Sequence, residues 1–285
     1  VLNRVIEKAF RGSAPAQINV PRDYWTQVID IELPPIVRFE RQGGGKEAIE
    51  NAAKLLSKAK FPVILSGAGV VLGGAIDECK KLAEKLDAPV CNGYQHNDSF
   101  PGSHPLAVGP LGYNGSKAAM ELISKADVVL ALGTRLNPFS TLPGYGIDYW
   151  PKKATIIQVD MNPDRIGLTK KVSVGICGDA KQVAQQILDK LSSDAGNTGR
   201  EERKNLIHKT KSAWLQTLSG LDHEEDDPGT VWNKEARERD KDRMSPRQAW
   251  RAIQDALPQD AIISSDIGNT VSYTHLRAHE TTYDL

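Results

Sequence analysis

Between residues 46 and 192, short apolar runs alternate with segments whose apolar residues recur every three or four positions. The first pattern is typical of parallel strands covered on both faces, and the second of helices with one buried stripe. Strands are predicted at FPVILS, APVC, DVVLAL, ATIIQVD and VSVGI, the last as an edge strand. Alternating strands and helices with short connections indicate a parallel sheet. We therefore predict a Rossmann-like, doubly wound α/β domain over 46–192.

Four helices are predicted within this domain. The third lies near 116–124. The apolar stripes of the other three are, in chain order, Ile49, Ala52, Ala53 and Leu56; Ala75, Cys79, Leu82, Ala83 and Leu86; and Val183, Ala184, Ile187, Leu188 and Leu191. The segment 92–114 shows little strand or helix pattern, and a loop of this length usually accompanies function or mobility.

The sequence before residue 46 has a different pattern. Residues 1–10 carry a helical apolar stripe, and residues 17–20 read as a short strand. A lone helix and strand cannot bury their own apolar faces. We interpret 1–22 as the C-terminal end of a preceding domain and 23–45 as a linker.

After residue 192 the composition changes again. Residues 193–245 are dense in mixed charge, which predicts an exposed linker with one helix around 201–218. Over 246–270, a capped helix and the strand AIISSD predict the start of a further domain. The segment 271–285 continues neither pattern and is interpreted as a foreign tail.

Composition narrows the functional class. Hydrophobic residues make up 40% and charged residues 25%, as in ordinary globular proteins. The 36 basic and 36 acidic residues balance, so nothing favours a nucleic acid or a membrane surface as partner. No run approaches the ~20 apolar residues of a membrane span. Three widely spaced cysteines, Cys79, Cys91 and Cys177, favour reduced thiols in a cytoplasmic protein over disulfides or zinc.

A glycine turn follows the first strand and admits two interpretations. Gly67 and Gly69 stand where a dinucleotide fingerprint has its first two glycines, but its third position is occupied by Leu72. The next strand ends at Cys91 and Asn92, without the acidic residue that binds a ribose. The turn is therefore either a nucleotide site or only a tight strand-to-helix connection.

Other candidate residues follow later strands. Arg135 could bind a phosphate through two hydrogen bonds, or it could equally pair with a carboxylate. Asp160 could accept a hydrogen bond from a ribose hydroxyl. In the long loop, His96 or His104 could face substrate anions or serve structural hydrogen bonds. Their spacing predicts no metal site, and no GxSxG elbow indicates a catalytic triad.

An ordered set of motifs adds a family resemblance. The segments VPRD, LLSKAKFPVILSGAGV, KLAEKLDAPV, FPGSHPLAVG, ADVVLALGTRL, IIQVDMNPDRIG, GDAK and AIISSDIGN occur in this order. Together they resemble thiamine-diphosphate enzymes of the acetolactate-synthase type, from residue 1 to about 270. Such enzymes have a pyrimidine-binding, a central Rossmann-like and a diphosphate-binding domain. The resemblance implies that this chain contains the end of the first domain, the whole of the second and the start of the third.

Within that family, the segments 91–119, 137–151 and 165–181 look most like those of sulfoacetaldehyde acetyltransferases. This resemblance implies an acyltransferase that converts sulfoacetaldehyde and phosphate to acetyl phosphate and sulfite in taurine and sulfonate breakdown. It also implies a homodimer or homotetramer. Two alternatives remain: another carboligase or decarboxylase of the acetolactate-synthase type, and a stand-alone adenine-nucleotide-binding module.

The resemblance also implies cofactors. Thiamine diphosphate would contact Gly268 and Asn269, with Asp266 shaping the turn. The activating glutamate and the ligands of Mg²⁺ are expected outside this sequence, so no catalytic or metal-binding residue is assigned and the chain is expected to be inactive alone. Because some members bind FAD or ADP in the central domain, the two turn glycines, Arg135 and Asp160 remain candidate nucleotide contacts.

Overall fold

The computed structural model of the chain describes residues 1–12, 14–32, 40–112, 115–222 and 246–258. Its centre is a six-stranded sheet, in which every neighbouring pair of strands is parallel. The strands are β1 (Pro62–Ser66), β2 (Val90–Asn92), β3 (Ala107–Pro110), β4 (Val128–Leu132), β5 (Thr155–Asp160) and β6 (Val174–Cys177). Their order across the sheet is β3-β2-β1-β4-β5-β6. The predicted fold class is confirmed.

The described α-helices are α1 (Leu2–Gly12), α2 (Lys46–Lys58), α3 (Ala68–Gly73), α4 (Ile76–Leu86), α5 (Lys117–Ile123), α6 (Ala180–Lys190), α7 (Arg200–Asp222) and α8 (Pro246–Ala256). Those between α1 and α8 belong to the central domain, and α1 and α8 lie in the flanking segments. Helix α6 packs against both α2 and α4, and α5 packs against α7. All residues of β1 and β4 are buried, which shows that both faces of the sheet centre are covered. The group with α6 and the group with α5 therefore form one layer on each face.

The predicted helical stripes are buried in the structure. In α2, the four buried residues are those of the stripe, and Cys79, Leu82, Ala83 and Leu86 of α4 are fully buried. Burial raises the pKa of the Cys79 thiol to about 12 and also raises that of Cys91. All three cysteines are free, and these two are small core residues.

Two local predictions differ from the structure. The segment 92–114 contains a short 3₁₀ helix at Asn97–Ser99 and the edge strand β3, where a pattern-free loop was expected. Strand β3 is made of Ala, Val, Gly and Pro, and its Pro110 is tolerated because the strand lies at the sheet edge. Residues 17–20 form no strand, since no neighbouring strand pairs with them among the described residues.

Part of the predicted linker is packed on the domain. The Asp179 N–H donates to the Gln42 carbonyl at 2.8 Å, and Gln186 Nε2 donates to the Gly43 carbonyl at 2.9 Å. Gly44 has a φ of +81°, and a Cβ there would lie 2.6 Å from Ile176 Cγ2. Gly43 and Gly44 therefore fit a narrow slot beside α6 and β6.

Helix α7 is also attached to the domain, although its charge-rich sequence predicts exposed linker. The guanidinium of Arg203 is buried and donates to five main-chain carbonyls, those of Lys60, Leu86, Asp87, Gly196 and Thr198. Leu86 and Asp87 end α4, whose last carbonyls lack helical partners. Arg203 thus joins α7 to the end of α4.

Several apolar side chains of the flanking segments are exposed. They include Val1 (93%), Phe10 (80%) and Trp25 (75%) before the domain, and Ile253 (48%) on α8. Among the described helices, none combines the length and the apolar composition needed to cross a bilayer.

Candidate functional site

The candidate site lies at the carboxyl ends of β1 and β4. These strands are neighbours in the sheet, but β1 leads to β2 on one side and β4 leads to β5 on the other. In open parallel sheets, ligands bind in the crevice outside such a reversal of strand order. The residues that follow each strand therefore decide what the crevice can hold.

Direct contact between two glycine turns fills the base of this crevice. The Gly69 N–H donates to the Gly133 carbonyl at 2.8 Å, and the Gly67 N–H donates to the Leu132 carbonyl at 3.1 Å. A Cβ on Gly69 would lie 2.6 Å from Gly133 Cα, and one on Gly67 would lie 2.6 Å from Thr134 Cβ. Both glycines are thus required by the approach of the two loops, and both N–H groups are already bonded.

Beside these turns, a buried polar cluster fixes the ends of β1 and β2. Ser66 Oγ donates to the Ser99 carbonyl at 3.1 Å, and Asn92 Nδ2 donates to Ser99 Oγ at 3.0 Å. Ser99 Oγ in turn donates to the His96 carbonyl at 2.7 Å. The Asn92 Oδ1 atom is buried and has no hydrogen-bond partner among the described residues. The cluster holds the 93–99 loop rigidly over the sheet.

His96 occupies the rim of this cluster. Burial lowers the pKa of its imidazole; the nearby Asp98 carboxylate opposes that change and the Arg135 guanidinium adds to it. Two sequence-predicted residues, His96 and Arg135, therefore lie close enough to interact electrostatically. A neutral imidazole next to an exposed guanidinium can accept or donate a hydrogen bond at neutral pH.

A residue that sequence reasoning missed links the loops after β4 and β5. Gln158 is buried in β5, and its Nε2 donates to the carbonyls of Thr134 at 3.1 Å and Arg165 at 3.2 Å. Its Oε1 accepts the Gly167 N–H at 2.9 Å. The signal was available, because an amide inside the apolar run IIQVD must find buried partners.

Asp160, the other predicted nucleotide contact, serves a local turn. Its Oδ1 accepts the Asn162 N–H at 2.8 Å, and its carbonyl accepts the Gly178 N–H at 3.0 Å. Asp160 is buried, and its carboxylate is engaged by this turn. The structure places Asp160 and Arg135 at the same sheet edge.

The remaining sequence candidates separate from this edge or lie outside the described residues. His104 Nε2 lies 3.2 Å from Glu84 Oε1, and its Nδ1 accepts the Leu106 N–H at 3.2 Å, which is a structural arrangement. Asp266, Gly268 and Asn269 all fall outside the described residues, as does the tail.

The described residues offer little to the implied cofactors. No cluster of three or more His, Cys, Asp or Glu side chains suited to a metal ion occurs among them. At the glycine turn, the N–H groups of Gly67 and Gly69 already donate to protein carbonyls and are not free for a nucleotide phosphate. Helix α3 begins directly at Ala68, so no open loop remains between the strand and the helix.

Sequence comparison places these features in a family. Residues 49–187 match the model of the thiamine pyrophosphate enzyme central domain. The chain is 78% identical, over 94% of its length, to a Rhizobium meliloti protein named "Probable sulfoacetaldehyde acetyltransferase", of which it covers 46%. It is 35% identical, over 73% of its length, to a Methanocaldococcus jannaschii protein named "Probable acetolactate synthase large subunit", of which it covers 34%. The chain thus spans about half the length of the Rhizobium meliloti protein that it matches.

Structural comparison agrees with the fold. The crystal structure of benzoylformate decarboxylase from Polynucleobacter necessarius superposes with a TM-score of 0.51 at 23% identity, covering 63% of this chain and 33% of that one. This likeness concerns the fold alone. The family model identifies residues 49–187 as a central domain of the thiamine pyrophosphate enzyme family.

Proposed function

We propose that this chain belongs to a thiamine-diphosphate-dependent acyltransferase that converts sulfoacetaldehyde and phosphate to acetyl phosphate and sulfite. The observation that carries the proposal is the 78% identity over 94% of the chain to a relative with that activity in its name. The alternative activity, that of an acetolactate synthase, has weaker support, because the similarity to a relative so named is lower and covers less of the chain.

We assign thiamine diphosphate and Mg²⁺ to the whole protein rather than to the described domain. When bound, thiamine diphosphate supplies an electron sink for the carbanion that forms on the aldehyde carbon. Asp266, Gly268 and Asn269 remain our proposed contacts for it, since a glycine directly after a strand lets backbone N–H groups approach phosphate oxygens.

The described domain contributes a rigid scaffold in this proposal. Gln158 and the Ser66–Asn92–Ser99 cluster fix the loops at the carboxyl edge of the sheet, and the Gly69–Gly133 contact closes its centre. These contacts hold His96 and Arg135 at the rim, where a substrate anion would meet a cation. The amides of Gly67 and Gly69 are already bonded to protein carbonyls, so we include neither FAD nor ADP in the proposed function.

The assembly and location of the protein are further parts of the proposal. We propose a homodimer or homotetramer that works in the cytoplasm, in taurine and sulfonate breakdown. The exposed apolar side chains of α1 and α8 support contacts beyond the described domain. The balanced charge of the chain favours neither a nucleic acid nor a membrane surface as partner.

The test is an assay of the protein that carries this chain, purified with thiamine diphosphate and Mg²⁺. We expect sulfite release from sulfoacetaldehyde that depends on phosphate, with acetyl phosphate formed in equal amount. Pyruvate is the matched control substrate. Formation of acetolactate from pyruvate, without sulfite release from sulfoacetaldehyde, would establish the alternative activity. The 285-residue chain assayed by itself is expected to be inactive.

A further inference from the structure

A cavity of about 360 Å³ lies between α5 and α7, and none of its lining residues belongs to the candidate functional site. Its apolar wall consists of Leu122 on α5, Ile147 before β5 and Leu206 on α7. Leu122 is 1% exposed, and Ile147 and Leu206 pack against the domain core. The volume and the largely apolar wall are those of a small-molecule binding site.

The sequence of α5 explains why the two helices leave this space. At the start of α5, Ala118 packs with Trp214 and Leu218 of α7 in a buried apolar cluster. Towards the end of α5, the cavity is lined by Glu121 and Lys125 instead. Charged side chains lose their water only at a large cost in free energy, so they do not close the gap as Ala118 does. The cavity therefore has an apolar wall and a charged rim.

The two charges at the rim are opposite in sign and one helical turn apart. The Lys125 N–H donates to the Leu122 carbonyl at 3.1 Å, which continues the turn as far as Lys125. Side chains four residues apart on a helix have Cβ atoms about 5–6 Å from each other. Glu121 Oε1 lies 3.8 Å from Lys117 Nζ, a long ion pair in which both side chains are nearly half exposed. Within the described part of the chain, Lys125 forms no ion pair. Both rim charges are therefore available to a ligand.

Two hydroxyl groups complete the polar lining. Ser124 Oγ donates to the Glu121 carbonyl at 2.7 Å and keeps its lone pairs as acceptors. Thr210, on the α7 side, contributes a hydroxyl that can donate or accept a hydrogen bond. The lining thus offers a carboxylate and an acceptor to a ligand cation, and an ammonium and a donor to a ligand anion.

We propose that this cavity binds a free α-amino acid with an apolar side chain. The ligand ammonium pairs with the Glu121 carboxylate, and the ligand carboxylate pairs with the Lys125 ammonium and the Thr210 hydroxyl. The ligand side chain lies against the apolar wall. An α-amino acid carries both charges on one carbon, which matches two opposite charges one helical turn apart. A simple carboxylate or amine meets one like charge at the rim, and a peptide bond removes one of the two ligand charges.

Occupancy of the cavity reinforces the contact between α5 and α7. Arg203 attaches the start of α7 to the end of α4, and Trp214 packs on α5 about three turns further along. The cavity lies between these two contacts, at Leu206 and Thr210. A ligand that touches both helices binds the folded chain and not the unfolded one, so it raises the Tm. This binding does not require the proposed acyltransferase activity.

The test is calorimetric titration of the full 285-residue chain with L-phenylalanine and with two analogues that each lack one charge. 3-Phenylpropanoate has no ammonium, and 2-phenylethylamine has no carboxylate. We expect saturable binding of L-phenylalanine with a Kd at least about tenfold below that of each analogue, because each analogue leaves one rim charge unpaired. Equal affinities for all three compounds overturn the proposal, as does the absence of saturable binding of both L-phenylalanine and L-leucine.

Two substitutions assign the rim charges. Glu121→Gln should remove the preference for L-phenylalanine over 3-phenylpropanoate, and Lys125→Gln should remove the preference over 2-phenylethylamine. Lys117→Gln is the matched control, because Lys117 competes for Glu121 without lining the cavity. Its replacement should leave binding as tight as in the wild type or tighter. An equal loss of affinity in all three variants contradicts the assignment.

A second measurement is the Tm. Saturating L-phenylalanine should raise the Tm of the wild-type chain by a few degrees, and Lys125→Gln should lose that response. The Lys125 side chain is exposed, so the Tm of the unliganded variant should match that of the wild type. A ligand-induced shift of the same size in Lys125→Gln places the ligand elsewhere and overturns the site.

Discussion

The Gly69 N–H donates to the Gly133 carbonyl at 2.8 Å and thereby joins the loops that follow β1 and β4. Gly133 has a φ of +61°, and a Cβ on either residue would lie within 2.7 Å of the other residue's Cα. The contact closes the point where strand order reverses, which is where doubly wound sheets bind ligands. The glycine turn of this domain is therefore an internal packing contact.

Substitution of Gly69 tests this contact. Gly69→Ala should destabilise the chain by about 2 kcal/mol, because the added methyl overlaps Gly133 backbone and neither loop can move freely. Urea unfolding followed by far-UV circular dichroism measures the change. Gly45→Ala is the control, since a Cβ at Gly45 meets no atom within 4 Å. Equal stabilities of the two variants would show that the loops tolerate the methyl.

Nucleotide titration tests the same contact from the ligand side. The amide of Gly69 is already bonded, so FAD, ADP and NAD should each show no saturable binding to the 285-residue chain by calorimetry. Of the other candidate contacts, Asp160 already accepts the Asn162 N–H through its Oδ1 atom. If any of the three nucleotides bound tightly, and if Arg135→Gln weakened that binding, the turn would be a nucleotide site after all.

Replacement of Arg203 tests the attachment of α7. Arg203→Lys should lower the free energy of unfolding by about 3 kcal/mol, because an ammonium cannot reach five carbonyls and leaves buried acceptors unpaired. Arg200→Lys is the control on the same helix. Arg200 pairs with Asp87 from a partly exposed position, so its replacement should cost less than about 1 kcal/mol. Comparable losses in both variants would contradict the special role of Arg203.

The pKa of His96 predicts a pH dependence of stability. Its folded-state pKa lies below the ordinary value of 6.5, so the unfolded chain binds more protons between the two values. Stability should therefore rise with pH through that window and fall as the solution is acidified below about pH 6.5. Urea unfolding between pH 5 and 7.5 measures this slope.

Two variants isolate the contribution of His96. His96→Gln should flatten the slope, because the variant has no imidazole to titrate. Asp98→Asn should steepen it, since the Asp98 carboxylate is the neighbour that raises the pKa of His96. A slope unchanged in His96→Gln would assign the acid sensitivity to other groups.

The regular elements could be predicted because their signals are local. The stripe through Cys79, Leu82 and Leu86 repeats with the helical period, and the run at 62–65 is uniformly apolar because both faces of β1 are covered. Strand β3 escaped prediction because AVGP carries no alternation and gains its pairing from β2. The attachment of α7 escaped it because a charged residue such as Arg203 ordinarily indicates exposure.

The amino-acid sequence by itself determined five of the six strands, the long helices, the parallel sheet and the family motifs, because apolar periodicity and motif order depend on neighbours along the chain. Only the tertiary structure decided what Gly69, Gln158 and Arg203 do. Their partners are Gly133, the loops at 134 and 165–167, and carbonyls more than 100 residues away. Contacts at such separation arise when the sheet brings strand ends and helix ends together, and no local pattern records them.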